Sequence, residues 1–279
     1  MAQKPTSTIS SRTRDGFRTD GRGFRREQET NVAVTRPPDR SASDAGLTTI
    51  FEVATYNVHR WAGVAGGSRW NPELAAGVIS ELDVEIIALQ EVLRPFDAED
   101  PLEVLADALG LHLTSVSTRV HRHGELRNAI LSRWPMTSAF TIDLSLSRLE
   151  QRSAIVTQFE GAGASVSIVS THLALVDRTR KRQVQSLLDD ERLQGAAILL
   201  GDMNAWRRCP ATRTLEREFT ILHHNRAWPP SFPSTRPVLA LDRIYARGAN
   251  VRSLRSHDTP AARKASDHLP VLATVDLDD

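Results

Sequence analysis

The chain has 279 residues, of which 40% are hydrophobic and 25% are charged, and its formal net charge at pH 7 is +1. This length allows a large hydrophobic core, and the single cysteine, Cys209, excludes both an internal disulfide and a cysteine zinc cluster. No segment approaches the roughly 18 consecutive apolar residues of a membrane-spanning helix, and the first residues do not resemble a secretory signal. We therefore expect a soluble, cytoplasmic, monomeric protein.

Residues 1–46 differ in composition from the rest of the chain. They are rich in Ser, Thr, Arg, Gly and Asp, and carry nine Lys/Arg against six Asp/Glu, a net charge of +3 that leaves −2 for residues 47–279. Such a segment buries too little surface to offset its ordering entropy, so we predict a disordered tail at 1–46 and one folded domain at 47–279. The tail is either passive or an electrostatic arm for nucleic acid or acidic lipid. The folded part is not globally basic, so any phosphate recognition there must be local.

From residue 48 onward, short apolar runs alternate with turn residues, which predicts many strands and few helices. Strands are predicted at 50–57, 84–90, 112–118, 128–133, 137–143, 152–159, 165–171, 196–201, 219–223, 239–246, 250–256 and 269–275. Helices are predicted at 72–82, 101–109, 179–192 and 211–217. Asn71-Pro72 and Asp100-Pro101 are typical helix starts, with a capping side chain before proline. This content favours an α/β fold of packed sheets with helices outside.

Polar side chains lie at the ends of five predicted strands. These residues are Asn57, Glu91, His172, Asp202 with Asn204, and Asp267 with His268. Because α/β proteins keep their chemistry at strand ends, we expect these residues to share one site.

Asp202 and Asn204 are alternate residues of an extended segment, so both side chains can address one ligand. Asp202 can orient or deprotonate a water, and the Asn204 amide can donate to a phosphate oxygen or to that water. The alternative is an Asx turn, in which both side chains satisfy their own backbone. Glu91 is an oxygen ligand suited to Mg²⁺ or Mn²⁺, or else a solvated carboxylate.

Asp267-His268 joins a candidate metal ligand to a group that transfers protons near neutral pH. Asp242 lies inside the apolar strand 239–246, where a buried acid needs a partner. If that partner is His268, Asp242 fixes its tautomer and raises its basicity. The structural alternatives are an ion pair with Arg243 or a capped turn.

Further candidates for phosphate binding are one histidine, one asparagine and two arginines. His172 can protonate a leaving oxygen or hold a phosphoryl group, although a single histidine at a strand end is more often structural. Asn128, at a predicted strand boundary, is a phosphate donor or a turn residue. Arg152 in a strand and Arg178 in the run 178–182 are candidate phosphate clamps, the run being otherwise a solvated helix start.

Seven short motifs follow one another along the chain. They are Thr55-Tyr56-Asn57, Leu89-Gln90-Glu91, Asn128-Ala129-Ile130-Leu131-Ser132-Arg133, Ser170-Thr171-His172-Leu173, Gly201-Asp202-Met203-Asn204, Leu241-Asp242-Arg243-Ile244 and Ser266-Asp267-His268-Leu269-Pro270. In this order they resemble the endonuclease/exonuclease/phosphatase superfamily, and the resemblance covers roughly residues 50–276. It implies a four-layer α/β/β/α sandwich of two mostly antiparallel sheets flanked by helices. It also implies that 47–279 is a catalytic domain for metal-dependent phosphoester hydrolysis.

The resemblance implies a role for each motif residue. Glu91 is implied on a divalent metal, Mg²⁺ or Mn²⁺, with Asn57 beside it and Asp267 on the metal or its water shell. Asp202 and Asn204 are implied to orient the attacking water and the phosphate, and Asp242 to orient His268. His268 acts as a base or phosphate ligand, and His172 as an acid or phosphate ligand. Whether Asp202 or His268 takes the proton stays open.

The substrate is open between nucleic acid and a lipid or small-molecule phosphodiester. The chain lacks the aromatic-rich segment expected of abasic-site endonucleases, and Cys209 alone cannot supply the disulfides of secreted pancreatic deoxyribonuclease. A non-catalytic binding module on the same fold is a less favoured alternative, because every acid and histidine of the set is present.

Overall fold

The computed structural model describes residues 32–35, 47–66, 70–146, 151–161, 164–219 and 227–277. The strands in these residues are β1 (Ala33–Thr35), β2 (Ile50–Asn57), β3 (Ile86–Pro95), β4 (His112–His121), β5 (Gly124–Ser132), β6 (Ser138–Asp143), β7 (Ser153–Gly161), β8 (Ala164–His172), β9 (Ala197–Asp202), β10 (Asp242–Arg247), β11 (Asn250–Ser256) and β12 (Val271–Asp276). The helices are α1 (Pro72–Leu82), α2 (Pro101–Leu109), α3 (Asp177–Leu188), α4 (Pro210–Glu218) and α5 (Ala262–Ala265). None of the described helices is long and apolar enough to cross a membrane.

The strands form two sheets. The larger sheet has the order β1-β4-β5-β3-β2-β12-β11, and the smaller has the order β10-β9-β8-β7-β6. Among the described strands, β2 pairs with β3 and β8 with β9 in parallel, and the other neighbours are antiparallel. The prediction of two mostly antiparallel sheets is confirmed.

Three hydrophobic cores separate four layers. Helices α1, α2 and α5 cover the outer face of the larger sheet, and α3 and α4 cover that of the smaller sheet. The third core lies between the sheets. Both faces of β9 are apolar because each faces a core. Ile198 and Leu200 pack between the sheets, whereas Leu199 packs in the core with α3 and α4. The predicted α/β/β/α sandwich is therefore confirmed.

Helix starts follow the sequence signals closely. α1 and α2 begin at the predicted prolines, and the Asp100 side chain accepts a hydrogen bond from Leu102 N at 3.1 Å. Asn71 precedes α1 but makes no side-chain capping bond. α3 begins at Asp177, two residues before its predicted start, and ends at Leu188. Of the predicted strand 219–223, Phe219 directly follows α4 and the remainder lies outside the described residues.

One short segment of the predicted disordered tail is ordered, which corrects that prediction locally. Residues 33–35 form β1 and pair antiparallel with β4, with Val34 opposite Thr114. Val32 packs against the core between the sheets. Backbone pairing at a sheet edge orders these residues, which a composition rule based on side-chain burial does not register. Residues 1–31 and 36–46 lie outside the described residues.

Strands β8 and β9 approach closely at Gly201, the residue before Asp202. Gly201 has φ +149°, and a Cβ atom there would lie 1.9 Å from the carbonyl oxygen of Thr171. Only glycine fits this position, because the clash is with backbone that is itself paired in the sheet. Gly201 therefore allows the ends of β8 and β9 to meet.

We expect Gly201→Ala to destabilise the protein by about 3 kcal/mol or more, through the backbone clash added to an unfavourable φ. The measurement is the urea unfolding midpoint at unchanged m value. Gly195→Ala is the matched control, because Gly195 has φ +75° with no atom within 4 Å of an added Cβ. Equal destabilisation of the two variants would show that the close approach at Gly201 does not matter.

Candidate active site

Asp202 lies between two strands that also carry predicted site residues. It is the last residue of β9, and its register partners are His172 at the end of β8 and Asp242 at the start of β10. All three side chains are buried. Asp242 was predicted inside its strand, but it is the first residue, because the apolar run before it leaves the sheet. Strand pairing therefore places three of the predicted residues side by side.

The two carboxylate oxygens of Asp202 have different surroundings. Oδ1 accepts a hydrogen bond from the backbone N–H of Asn204 at 2.8 Å, as in an Asx turn. Oδ2 lies 3.2 Å from Asn57 Nδ2, 3.5 Å from His172 Nε2 and 3.8 Å from His268 Nε2. The turn and the polar cluster, which the sequence offered as alternatives, are both present. Since Asn57 ends β2 of the larger sheet, Oδ2 marks the point where the two sheets meet.

Asn204 and α3 hold the loop that follows Asp202. Asn204 has φ +49°, and its Nδ2 donates to Leu173 O at 2.8 Å. Arg180 is buried and donates to Asn204 O at 2.7 Å. Arg178, by contrast, is exposed, and no hydrogen bond or ion pair within the described residues joins it to the site. Phosphate binding by Arg178, and contact of the Asn204 amide with water or phosphate, stay predictions.

Asp242 binds His268, the contact that the sequence offered as one alternative. Asp242 Oδ2 lies 2.7 Å from His268 Nδ1 and also accepts a hydrogen bond from Ser231 Oγ at 2.6 Å. Arg243, the other partner considered for Asp242, instead donates to Ala205 O at 2.8 Å. The imidazole of His268 is therefore held with Nδ1 toward Asp242 and Nε2 toward Asp202 Oδ2.

The two histidines beside Asp202 have opposite pKa shifts. Burial disfavours the charged form of His268, but the carboxylates of Asp242 and Asp202 outweigh it and raise its pKa to about 10. Burial, followed by the positive charge of Arg152, lowers the pKa of His172 to about 3. At neutral pH the isolated chain thus has a charged His268 and a neutral His172.

Glu91 lies inside β3 and not at its end, which corrects the predicted strand boundary. The strand continues to Pro95, but its register with β5 shifts between Leu89 and Val92, and Glu91 has φ +52°. A bulge of this kind redirects a side chain without ending the strand. The predicted and observed positions differ because a single outward-turned residue in a bulge has the sequence appearance of a strand end.

The turn after β2 contacts Glu91 and Asp267, two of the predicted metal ligands. The turn residues His59, Arg60 and Trp61 have φ values of 46°, 59° and 60°, which non-glycine residues rarely adopt. His59 Nδ1 lies 3.3 Å from Asp267 Oδ1, and Arg60 Nε lies 3.6 Å from Glu91 Oε2. The backbone N–H of His59 donates to Asn57 Oδ1 at 3.0 Å. The turn therefore joins Asn57, Glu91 and Asp267 into one connected group.

A cleft opens beside this group. Its lining includes Glu91, Arg119, Asn128, Gln151, Arg152 and His172. Asn128 was predicted at a strand boundary but lies within β5, and its Nδ2 donates to Ser153 O at 2.8 Å. Arg152 was predicted within a strand and lies immediately before β7. Four predicted residues, on or next to strands of both sheets, thus line one cleft together with Arg119, which was not predicted.

Residues 54–268 match the sequence profile of the Endonuclease/Exonuclease/phosphatase family. The chain belongs to this family. It is 28% identical to the uncharacterized protein YbhP of Escherichia coli K12 over 247 residues, which cover 81% of this chain and 96% of that protein.

Solved structures of family members share the fold. An endonuclease/exonuclease/phosphatase from Beutenbergia cavernae matches at TM-score 0.67 and 20% identity, over 82% of this chain and 72% of that one. Zebrafish (D. rerio) TDP2, complexed with single-strand DNA product, matches at TM-score 0.62 and 15% identity, over 82% of this chain and all of that one (100%). At these identities the likeness concerns the fold alone.

The donor set fits a divalent cation, which the Endonuclease/Exonuclease/phosphatase family typically uses. Glu91 and Asp267 are partly exposed carboxylates at 23% and 28%, while Asp202 and Asp242 are buried. Asp202, Asp242 and His268 offer ligand atoms that all lie within 4.8 Å of one another, and Asp242 Oδ1 is buried without a hydrogen-bond partner among the described residues. The two buried carboxylates outnumber the single histidine that they face, which leaves negative charge that a cation neutralises.

Sequence reasoning missed several residues around the family motifs. Ser231 supports Asp242, and Ser266 Oγ donates to Asn57 O at 2.7 Å. His59 and Arg60 contact the acidic group, and Arg119 lines the cleft. Ser266 belongs to one of the motifs and His59 lies two residues after another, which was an available signal. Ser231 and Arg119 stand apart from every motif and carried no signal of their own.

Proposed function

We propose that this protein is a divalent-metal-dependent phosphodiesterase, a hydrolase that cleaves a phosphoester with an activated water. The observation that supports it best is the convergence on Asp202 Oδ2 of Asn57 Nδ2, His172 Nε2 and His268 Nε2, within 3.8 Å and from both sheets. A non-catalytic module has no need to bury two carboxylates and two histidines in contact with one another.

Each buried side chain has a different role in the proposed reaction. Asp202 orients the attacking water and accepts its proton, because His268 is already protonated at neutral pH in the isolated chain. Asp242 fixes the orientation of His268, so that Nε2 is directed to the reacting group. His172, whose pKa of about 3 leaves it neutral, donates a hydrogen bond to the phosphoryl group and has no proton to give to the leaving oxygen. The Asn204 amide supports the water and the phosphate.

Residues of the cleft hold the phosphate, and Glu91 with the adjoining Asp267 and Asn57 would hold the ion. Asn128 and Arg152 bind the phosphate oxygens, with Arg178 as a more peripheral candidate. Glu91 and Asp267 would hold Mg²⁺ or Mn²⁺, with Asn57 beside them. When bound there, the ion neutralises charge that develops on the phosphate oxygens.

Two substrate classes fit this site. The first is a nucleic acid, which the family relationship and the DNA product bound to D. rerio TDP2 support as the substrate. A lipid or small-molecule phosphodiester is the second candidate, because residues 47–279 carry a net charge of −2, unlike a dedicated duplex-binding domain. We propose that the protein acts as a monomer on either.

We expect hydrolysis of at least one member of a substrate panel, with at least about a 100-fold loss of rate in EDTA and recovery on adding Mg²⁺ or Mn²⁺. The panel contains plasmid DNA, single-stranded RNA, phospholipids, inositol phosphates and bis-p-nitrophenyl phosphate. Ca²⁺ addition is the control for a cation of equal charge but different geometry. Rates that are unchanged by EDTA, or no hydrolysis of any member, would contradict the proposal.

A further inference from the structure

The cleft beside Asp202 is lined by one arginine to which the proposed hydrolysis assigns no role. Arg119, on β4 of the larger sheet, lines the same cleft as Glu91, Arg152 and His172. Its side chain is exposed and forms no hydrogen bond or ion pair with the described residues. An arginine without a carboxylate partner at the edge of a cleft is a ready binding group for an anion.

Local strand geometry aims Arg119 at the cleft. The register of β4 against β5 shifts between Ser117 and Arg119, and Thr118 Oγ1 donates to Leu126 O at 2.9 Å within this irregularity. The bulge of β3 at Glu91 lies on the other side of β5. Bulges redirect side chains and are frequent beside active sites. Two bulges that flank one strand therefore form one wall of the cleft.

Other arginines of the larger sheet are neutralised, whereas Arg119 is not. Arg94 lies 4.0 Å from Glu125, and Arg127 and Arg133 are paired with aspartates. Burial is the main cause of the lowered pKa values of His121 and His172, and the positive charge of Arg119 contributes to both.

Arg119 lies further out in the cleft than the residues around Asp202. Its strand is two strands away from β3 in the order β3-β5-β4, and its side chain is exposed, whereas Asp202, His172 and His268 are buried. A phosphate held by the buried residues leaves the exposed guanidinium of Arg119 for another anionic group. A neighbouring phosphate of the same substrate is such a group.

We propose that Arg119 binds a second phosphate of the substrate, so that the protein prefers phosphodiesters that carry another phosphate group next to the scissile one. This inference rests on the proposed function of the adjoining site. The shared chemistry is a second phosphate, which an oligonucleotide or a phosphorylated small molecule can supply. Two matched substrate pairs distinguish these sources.

The test compares each substrate with its phosphorylated counterpart. One pair is the dinucleotide TpT and its 5′-phosphorylated form pTpT, and the other is glycerophosphoinositol and its 4-phosphate. We expect wild-type kcat/KM to be higher for the phosphorylated member of at least one pair by about tenfold or more, the value of a charge-assisted contact. The pair that shows this preference identifies the source of the second phosphate.

Arg119→Gln is expected to reduce that preference to within about twofold of unity, and Arg119→Lys to restore part of it. Because the readout is a ratio of two kcat/KM values, a general loss of activity cancels. Arg122→Gln is the matched control, since Arg122 lies in the adjacent turn and does not line the cleft. A wild-type ratio near one in both pairs would overturn the proposal, as would an equal fall in the Arg119 and Arg122 variants.

Failure of the proposed hydrolysis remains distinguishable from failure of this inference. If the wild-type protein cleaves none of the four compounds, their dissociation constants are measured by calorimetry with the same variants. A binding preference for a phosphorylated member that is lost in Arg119→Gln would support the second-phosphate site on its own. Equal binding of both members of each pair would overturn it.

Discussion

Asp202→Asn is expected to lower kcat for the preferred substrate by at least about 100-fold, the scale of one lost general acid or base. Asparagine has nearly the same shape and can still accept from Asn204 N, so the turn at the end of β9 is kept. What is lost is the negative charge of Oδ2 and its ability to orient or deprotonate a water. The measurement is initial rates at saturating Mg²⁺, with the thermal unfolding midpoint as the check on folding.

Asp83→Asn is the matched control for this substitution. Asp83 is exposed at the C-terminus of α1, has φ +49°, which asparagine adopts readily, and pairs only with the exposed Arg133 among the described residues. We expect wild-type rates from it. Activity of Asp202→Asn within tenfold of wild type would remove Asp202 from the catalytic centre.

His268→Gln alone is expected to reduce kcat by at least about 100-fold relative to wild type, because it removes the imidazole that faces Asp202 Oδ2. Asp242→Asn should cause a loss of similar order, since Asp242 acts through His268 and holds its Nδ1. Residues that work as a unit are not additive. The double variant should therefore be only slightly worse than His268→Gln alone.

His257→Gln is the matched histidine control. His257 is partly exposed and pairs with Glu81 at 3.1 Å, away from the residues that contact Asp202. It should keep wild-type kcat. Additive losses in the double variant would show that Asp242 and His268 act separately, and wild-type activity of Asp242→Asn would show that the buried pair is structural.

The sequence could predict the part of the site that depends on strand ends. Asn57, His172 and Asp202 each follow an apolar run, and the parallel pairs β2–β3 and β8–β9 bring such ends to the same edge of their sheets. The four-layer fold was implied by the order of the motifs. These features are local in sequence or follow from strand direction, so a pattern of residues is enough to place them.

The site residues that the sequence misplaced or missed depend on geometry that no local pattern encodes. Glu91 is turned outward by a bulge inside a continuing strand, and Arg119 by another on β4. Ser231 reaches Asp242 across 11 positions of sequence, through a segment without regular structure. The run 178–182 suggested Arg178, but helix phase buries Arg180 instead and leaves Arg178 exposed. For the two bulges and for α3, a shift of one or two residues decided which side chain faces the site.

The contacts of His59 and Arg60 with the carboxylates of Asp267 and Glu91 are a further feature that the sequence could not reveal. The turn places positively charged or ionisable side chains against Glu91 and Asp267, in a backbone conformation that carries strain. Its side chains partly offset the local excess of negative charge. A cation bound by Glu91 and Asp267 would compete with these contacts, which ties ion binding to the conformation of this turn.

The most direct test of the site is anomalous diffraction from crystals of the protein soaked with Mn²⁺ and inorganic phosphate. We predict an anomalous peak within coordination distance of a Glu91 carboxylate oxygen, and a phosphate in the cleft in contact with His172 or His268. A phosphate bound outside the cleft, or an ion bound away from Glu91, Asp267 and the Asp202 cluster, would contradict a metal-dependent phosphodiesterase site here.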